Sequence, residues 1–140
     1  MENGKILVVE DQDAMRESLM IAFKDEGYQV EGAASGEEAM HKLDNQNGYD
    51  LVVTDLKMKK VDGLEVLRAA KSANPSAEVV LITAYGTIST AVQAIRDGAY
   101  DYVTKPFRHQ EILKVARKAL EKKSLKDRGR YLEGEIRDKY

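Results

Sequence analysis

Three short runs, "KILVV" (5–9), "DLVVTD" (50–55) and "EVVLIT" (78–83), constrain the fold of this chain more than any other feature. Each is almost continuously apolar, rich in valine and isoleucine, and too short for a helix. A strand with one wet face alternates apolar and polar residues, whereas a strand without alternation needs cover on both faces. Such strands belong in the middle of a parallel sheet packed between layers of helices. The weaker runs "YQVEGAA" (28–34) and "YDYVT" (100–104) supply two further strands.

Amphipathic stretches at 14–27, 35–45, 63–73, 87–98 and 109–123 separate the strands and read as helices. Ser35 followed by Glu38 forms a capping box at one helix start, Gly27 and Gly98 close two others, and Pro75 stops a third. Five βα units in succession predict a doubly wound α/β fold of the flavodoxin-like kind. It has a five-stranded parallel sheet in the order 2-1-3-4-5 with helices on both faces. The 140 residues suffice for one such domain. Cysteine is absent, which excludes disulfides and thiolate metal sites and suits the reducing cytoplasm. No run approaches the ~20 apolar residues of a membrane helix, and the N-terminus lacks a signal-peptide pattern.

In doubly wound sheets, chemistry gathers at the carboxyl ends of the strands. Those ends carry Glu10, Asp11 and Asp13 after the first strand and Asp55 after the third. Thr83 and Ala84 follow the fourth, and Lys105-Pro106 the fifth. Singly, each has a structural reading: Asp55, Glu10 and Asp11 as helix caps, Thr83 as a strand residue, Lys105 as a solvated charge. In the order 2-1-3-4-5, however, Glu10, Asp11 and Asp55 converge, with Thr83 and Lys105 beside them. Like charges about 4 Å apart repel by roughly 4 kcal/mol at an effective dielectric of ~20. Raised pKa values or a bound cation relieve this. A small set of oxygen ligands suits Mg²⁺, which keeps several waters and accepts phosphoryl oxygens. With an ammonium and a hydroxyl nearby, the group has the parts to transfer a phosphoryl group, Asp55 acting as the nucleophile.

The stretches "ILVVEDQDAMRESL", "DLVVTDLKM…DGLEVL", "VVLITAYG" and "GAYDYVTKPF" together resemble the receiver domain of two-component response regulators, over roughly residues 4–122. The run "TAYGTISTAVQAIRDGAYDYVTKPF" is most similar to the nitrogen-regulatory type, whose receivers control sigma-54-dependent activators. The resemblance implies a phosphoacceptor at Asp55, served by a sensor histidine kinase, with Mg²⁺ held by Glu10, Asp11, Asp55 and the backbone carbonyl of Lys57. It implies a switch hydroxyl at Thr83 next to Ala84, a switch aromatic at Tyr102, a phosphate-pairing Lys105 and a cis Lys105-Pro106 peptide. It makes Lys57 and Tyr85 the positions that tune acyl phosphate lifetime. The implied protein is a signalling switch, not a turnover enzyme, whose helix 4, strand 5 and helix 5 face changes shape on phosphorylation and alters a dimer contact to regulate transcription. Two positions depart from the commonest pattern: Glu10 stands where aspartate is common, and Lys59 where proline is common.

Residues 1–122 form the expected receiver, and 123–140 a helical linker or dimerisation tail. Residues 117–140 carry a balance of +4 and residues 1–116 a balance of −6. The tail's mixed signs suit a solvated helix face better than a nucleic-acid contact. Leu125, Leu132, Ile136 and Tyr140 recur at intervals of seven and four, a short dimer seam. The resembled subfamily extends this helix toward an ATPase effector; with no P-loop or helix-turn-helix in the sequence, the chain reads as a fragment of a larger activator in preference to a stand-alone receiver with a tail. His41 and His109 are expected on solvated helix surfaces. An aspartate-nucleophile phosphatase would carry its nucleophile after the first strand. A flavin or nucleotide binder would want a Gly/Ser/Thr-rich loop where this chain has "EDQDA".

Overall fold

A computed structural model describes residues 4–45, 48–84 and 88–139, with Ile88 and residues 128–139 described by backbone alone. The chain alternates β1 (Lys5–Val9), α1 (Asp13–Asp25), β2 (Gln29–Ala33), α2 (Gly36–Asn45), β3 (Leu51–Asp55), α3 (Gly63–Ala73), β4 (Glu78–Thr83), α4 (Ile88–Arg96), β5 (Asp101–Thr104) and α5 (His109–Lys139). All pairings are parallel, and the strand order is β2-β1-β3-β4-β5. The sequence-derived bounds of β1, α3 and β4 agree with these. The others differ by one or two residues, as helix and strand ends commonly do. The last helix, read to residue 123, continues to Lys139.

Successive residues of the central strands face opposite layers. Ile6, Val8, Leu51, Val53, Val80 and Ile82 meet Leu19 and Phe23 of α1 and Ile112, Ala116 and Ala119 of α5. Leu7, Val9, Val52, Val79 and Leu81 meet Ala39 and Leu43 of α2, Val66, Leu67 and Ala70 of α3, and Ala94 of α4. Burial on both faces explains why the central runs show no alternation. The capping box at α2 forms as read: Ser35 Oγ accepts from the Glu38 backbone N–H at 3.1 Å, and Glu38 Oε1 accepts from the Ala34 N–H at 2.9 Å. Gly27 and Gly98 leave α1 and α4 at φ 94° and 114°, which side chains rarely adopt.

The amino edge of the sheet carries ion pairs that periodicity does not reveal. Glu78 is buried at the start of β4 and is approached by Lys126 at 2.9 Å, Lys71 at 3.6 Å and Lys122 at 3.9 Å. Lys123 meets Asp50 at 2.7 Å. These contacts tie α5 past residue 122 to the sheet.

On β2, Glu31 accepts a hydrogen bond from the Tyr49 hydroxyl at 2.7 Å and pairs with Lys5 at 3.0 Å. Burial pushes the Glu31 pKa up, but these bonds outweigh it and the net direction is down; burial and the same carboxylate drive the Tyr49 phenol well up. Tyr49→Phe should therefore lower stability by about 1 kcal/mol at neutral pH. Because the folded Glu31 pKa is depressed, the bond's contribution is complete above the unfolded value of 4.5 and fades as pH falls through the folded value. Urea unfolding of both proteins at neutral and acidic pH checks this, the gap closing in acid.

Candidate functional site

The carboxyl edge of the sheet assembles the group anticipated from the four strand ends. Asp55 closes β3, its Cα in register with Ile82 of β4, so it sits between β1 and β4 at the sheet's centre. Its strand is buried along its whole length, and the residue itself is 7% exposed. One carboxylate oxygen from each of Glu10, Asp11 and Asp55 lies within 4.8 Å of the others. Lys105 reaches across from the end of β5, its ammonium donating to Asp55 Oδ2 at 3.1 Å and standing 3.4 Å from Glu10 Oε1. The Lys105-Pro106 peptide is cis, and the Lys105 backbone N–H donates to the Thr83 carbonyl at 2.8 Å.

Electrostatics follow from this crowding. Burial pushes the Glu10 pKa up; the Gln12 N–H pulls against it, while Asp11 and Asp55 add to the rise. For Lys105, burial pulls the pKa down, but the bond and charge of Asp55, then Glu10, outweigh it and hold the ammonium charged. Glu10 is fully buried, and its two oxygens differ. Oε2 accepts from the Gln12 N–H at 3.0 Å, while Oε1 receives no well-aligned hydrogen bond. A buried carboxylate oxygen without a well-aligned donor, on a residue grouped with two further carboxylates, has the donor chemistry of a hard divalent cation site.

Thr83 is fully buried at the end of β4, its hydroxyl donating to the Ala84 carbonyl at 3.3 Å. Tyr102 is half-buried on edge strand β5, packed against the core layer that includes Leu81 and Ala94. Asp13 begins α1 and points to solvent, outside the acidic group. The Lys57 side chain is exposed. His41 and His109 are exposed, His109 Nε2 lying 2.9 Å from Ser18 Oγ. Tyr85 and Tyr140 lie outside the described residues, as do the side chains of Leu132 and Ile136; Leu125 is exposed on α5.

The loop after Asp55 is fixed without the family's common proline at position 59. The Val61 N–H donates to the Lys59 carbonyl and the Gly63 N–H to the Leu56 carbonyl, both at 2.8 Å, with Lys60 at φ 62° between them. A Cβ on Gly36 would strike Val61, so α2 and this loop pack without a gap. Lys59 and Lys60 line a groove beside Asp11, together with Ser35, Glu37 and Met58.

Residues 6–117 match the family described as the response regulator receiver domain. The chain belongs to that family. It is 37% identical over 92% of its length to the regulatory protein AtoC of Escherichia coli, and 39% identical over 96% to the alginate biosynthesis transcriptional regulatory protein AlgB of Pseudomonas putida. It spans 28% and 30% of those two proteins, which are thus much longer. Among solved structures, it resembles NtrX from Brucella abortus (35% identity, TM-score 0.86, covering 94% of this chain and 30% of that one). It also resembles a receiver domain protein from Clostridium thermocellum (31% identity, TM-score 0.82, covering 87% and 98%). The likeness to the nitrogen-regulatory type read from residues 83–107 agrees with the presence of NtrX among these relatives. No helix among the described residues is long and apolar enough to cross a membrane.

One contact had no counterpart in the sequence reading. Arg16, on the first turn of α1, donates from Nη1 to the Glu10 carbonyl at 2.9 Å and from Nη2 to Asp13 Oδ1 at 2.7 Å. Its signal in the sequence was only a basic residue three places after Asp13.

Proposed function

We propose that this receiver accepts a phosphoryl group on Asp55 from the phosphohistidine of a sensor histidine kinase and thereby switches a cytoplasmic transcriptional activator of the sigma-54-dependent type. The carrying observation is the Asp55 carboxylate, held at the end of a buried strand within 4.8 Å of two other carboxylates and 3.1 Å from Lys105. Glu10, Asp11, Asp55 and the Lys57 carbonyl would hold Mg²⁺, which when bound neutralises the crowded carboxylates and the phosphoryl oxygens. Asp55 Oδ attacks phosphorus, the histidine nitrogen departs with its electron pair, and an acyl phosphate forms. Lys105 balances charge on the transferred group, whose oxygens draw in the Thr83 hydroxyl and the Ala84 N–H.

Movement of Thr83 frees space beneath α4, and Tyr102 turns inward on β5. The face of α4, β5 and α5 then changes a dimer contact. Exposed Val92 and Ile95 on α4 support that assignment, since their burial would reward assembly. Residues 1–122 act as the receiver. Residues 123–140 continue α5 as a dimerising linker, with Leu125, Leu132 and Ile136 on its seam, toward an effector ATPase domain in a longer protein. Lys57 and Tyr85 tune the lifetime of the acyl phosphate. Nucleic acid is bound by the effector and not by this domain.

Acetyl phosphate with Mg²⁺ should add one phosphoryl group to the intact mass, and chelation with EDTA should prevent it. Beryllofluoride should raise the sedimentation coefficient toward that of a dimer. A protein whose mass is unchanged by acetyl phosphate at saturating Mg²⁺ would refute the reading.

A further inference from the structure

We propose that Arg16 is a positioning residue that holds the acidic loop between β1 and α1 in the shape that takes the divalent cation; this rests on the functional reading above. The loop carries Glu10 and Asp11; backbone bonds hold its start, from the Glu10 N–H to the Ala33 carbonyl at 3.0 Å, and its entry to α1, from the Arg16 N–H to the Gln12 carbonyl at 2.9 Å, but side-chain restraint is sparse. Gln12, at the N-cap of α1, makes no side-chain cap bond. Arg16 adds a side-chain clasp from the first turn of the helix. Its guanidinium fork spans the loop, bonding the Glu10 carbonyl at the loop's start and Asp13 at its end. Asp13 is 81% exposed at its side chain, and such a surface ion pair contributes little by itself. The Arg16 side chain is only 16% exposed, so its bond to the Glu10 carbonyl is the weightier one.

The consequence reaches the carboxylate. The Gln12 N–H pins Glu10 Oε2 at 3.0 Å, which leaves Oε1 as the oxygen without a well-aligned donor. The orientation of the Glu10 carboxylate therefore depends on where the loop places Gln12, whose carbonyl accepts from the Arg16 backbone N–H at 2.9 Å and which lies between the two anchors of the fork. The neighbouring sheet makes room for this arrangement. A Cβ on Gly32 of β2 would lie 3.3 Å from Arg16 Cδ and 2.6 Å from Met20 Sδ. Lysine at position 16 would keep the charge but lacks a planar fork able to bond both acceptors at once.

Charge and geometry predict opposite signs, which makes the inference testable. If Arg16 acted by charge alone, removing a cation from beside the acidic group would strengthen Mg²⁺ binding, and Arg16→Lys would match the parent. Positioning predicts that both Arg16→Gln and Arg16→Lys weaken it, on the order of tenfold, as loss of groups that orient metal ligands commonly does. The experiment is isothermal titration of Mg²⁺ into the parent chain and both variants, with thermal midpoints measured without metal. Acetyl phosphate labelling should recover when Mg²⁺ is raised to saturate each variant. Unchanged or tighter binding by Arg16→Gln, or parent-like binding by Arg16→Lys, overturns the inference. If Arg16→Gln does not fold, Arg16→Lys decides, since it keeps the charge and most of the stem. A parent that binds no Mg²⁺ removes the functional reading and this inference together, whereas a binding parent with parent-like variants removes the inference alone.

Discussion

Asp55→Asn should take acetyl phosphate labelling to background while leaving the fold intact. An amide has the carboxylate's shape but no anionic oxygen to attack phosphorus, so loss of the nucleophile leaves no covalent route. The fold should survive because the Lys105 ammonium, now 3.1 Å from Asp55 Oδ2, can donate equally to an amide oxygen. One charge also leaves a group of three carboxylates within 4.8 Å of one another, which removes repulsion. The thermal midpoint without metal should therefore equal or exceed the parent's. Asp25→Asn is the control: it neutralises an exposed carboxylate at the far end of α1 and should keep its label. Intact mass and thermal unfolding read both effects, and an Asp55→Asn protein labelled as fully as the parent would displace Asp55 from its role.

Gly63→Ala should damage stability and labelling together. A Cβ at this position would lie 2.5 Å from the Asp55 carbonyl oxygen and 2.8 Å from Leu56 Cα. Both are backbone atoms: Asp55 ends the buried β3 in register with Ile82, and the Leu56 N–H donates to the Ile82 carbonyl at 2.8 Å, so they cannot swing away as a side-chain tip would. Overpacking of this kind costs about 3 kcal/mol. The displaced backbone is that of Asp55, the proposed acceptor. A shift of about 1 Å at a reacting group lowers rate on the order of a hundredfold. Urea unfolding and the initial labelling rate at saturating Mg²⁺ measure the two effects. A Gly63→Ala protein with parental stability would show that α3 can retreat from β3 without cost. Parental labelling despite lost stability would show that the acceptor's position does not depend on this contact.

The elements were legible because their signals are local. A run such as "LVVTD" announces a strand covered on both faces, and Ser35 with Glu38 announces a helix start, whatever surrounds them. The last helix was harder to bound. Past residue 123 its apolar pattern thins, Leu125 is exposed, and Gly129 and Gly134 each weaken a helix by about 1 kcal/mol relative to alanine. What continues the helix there includes Lys123 and Lys126 reaching Asp50 and Glu78, residues far away along the chain. Glu78 was read as part of an ordinary central strand; its burial beneath three lysines depends on how α3 and α5 lie over the sheet's edge.

The candidate site divides the same way. The chain by itself determined which chemical groups end each strand: carboxylates after β1 and β3, a hydroxyl after β4, an ammonium after β5. It also determined, through the unalternating strands, that these ends share one edge of a parallel sheet. Only the tertiary structure decided that Glu10 keeps one oxygen without a well-aligned donor, that Lys105 bonds Asp55 more closely than Glu10, and that Arg16 clasps the acidic loop. The reason is physical. Residue type and periodicity are properties of neighbours along the chain, while these distances are set by strand order, hydrogen-bond register and the fit of a helix against a glycine on the next strand.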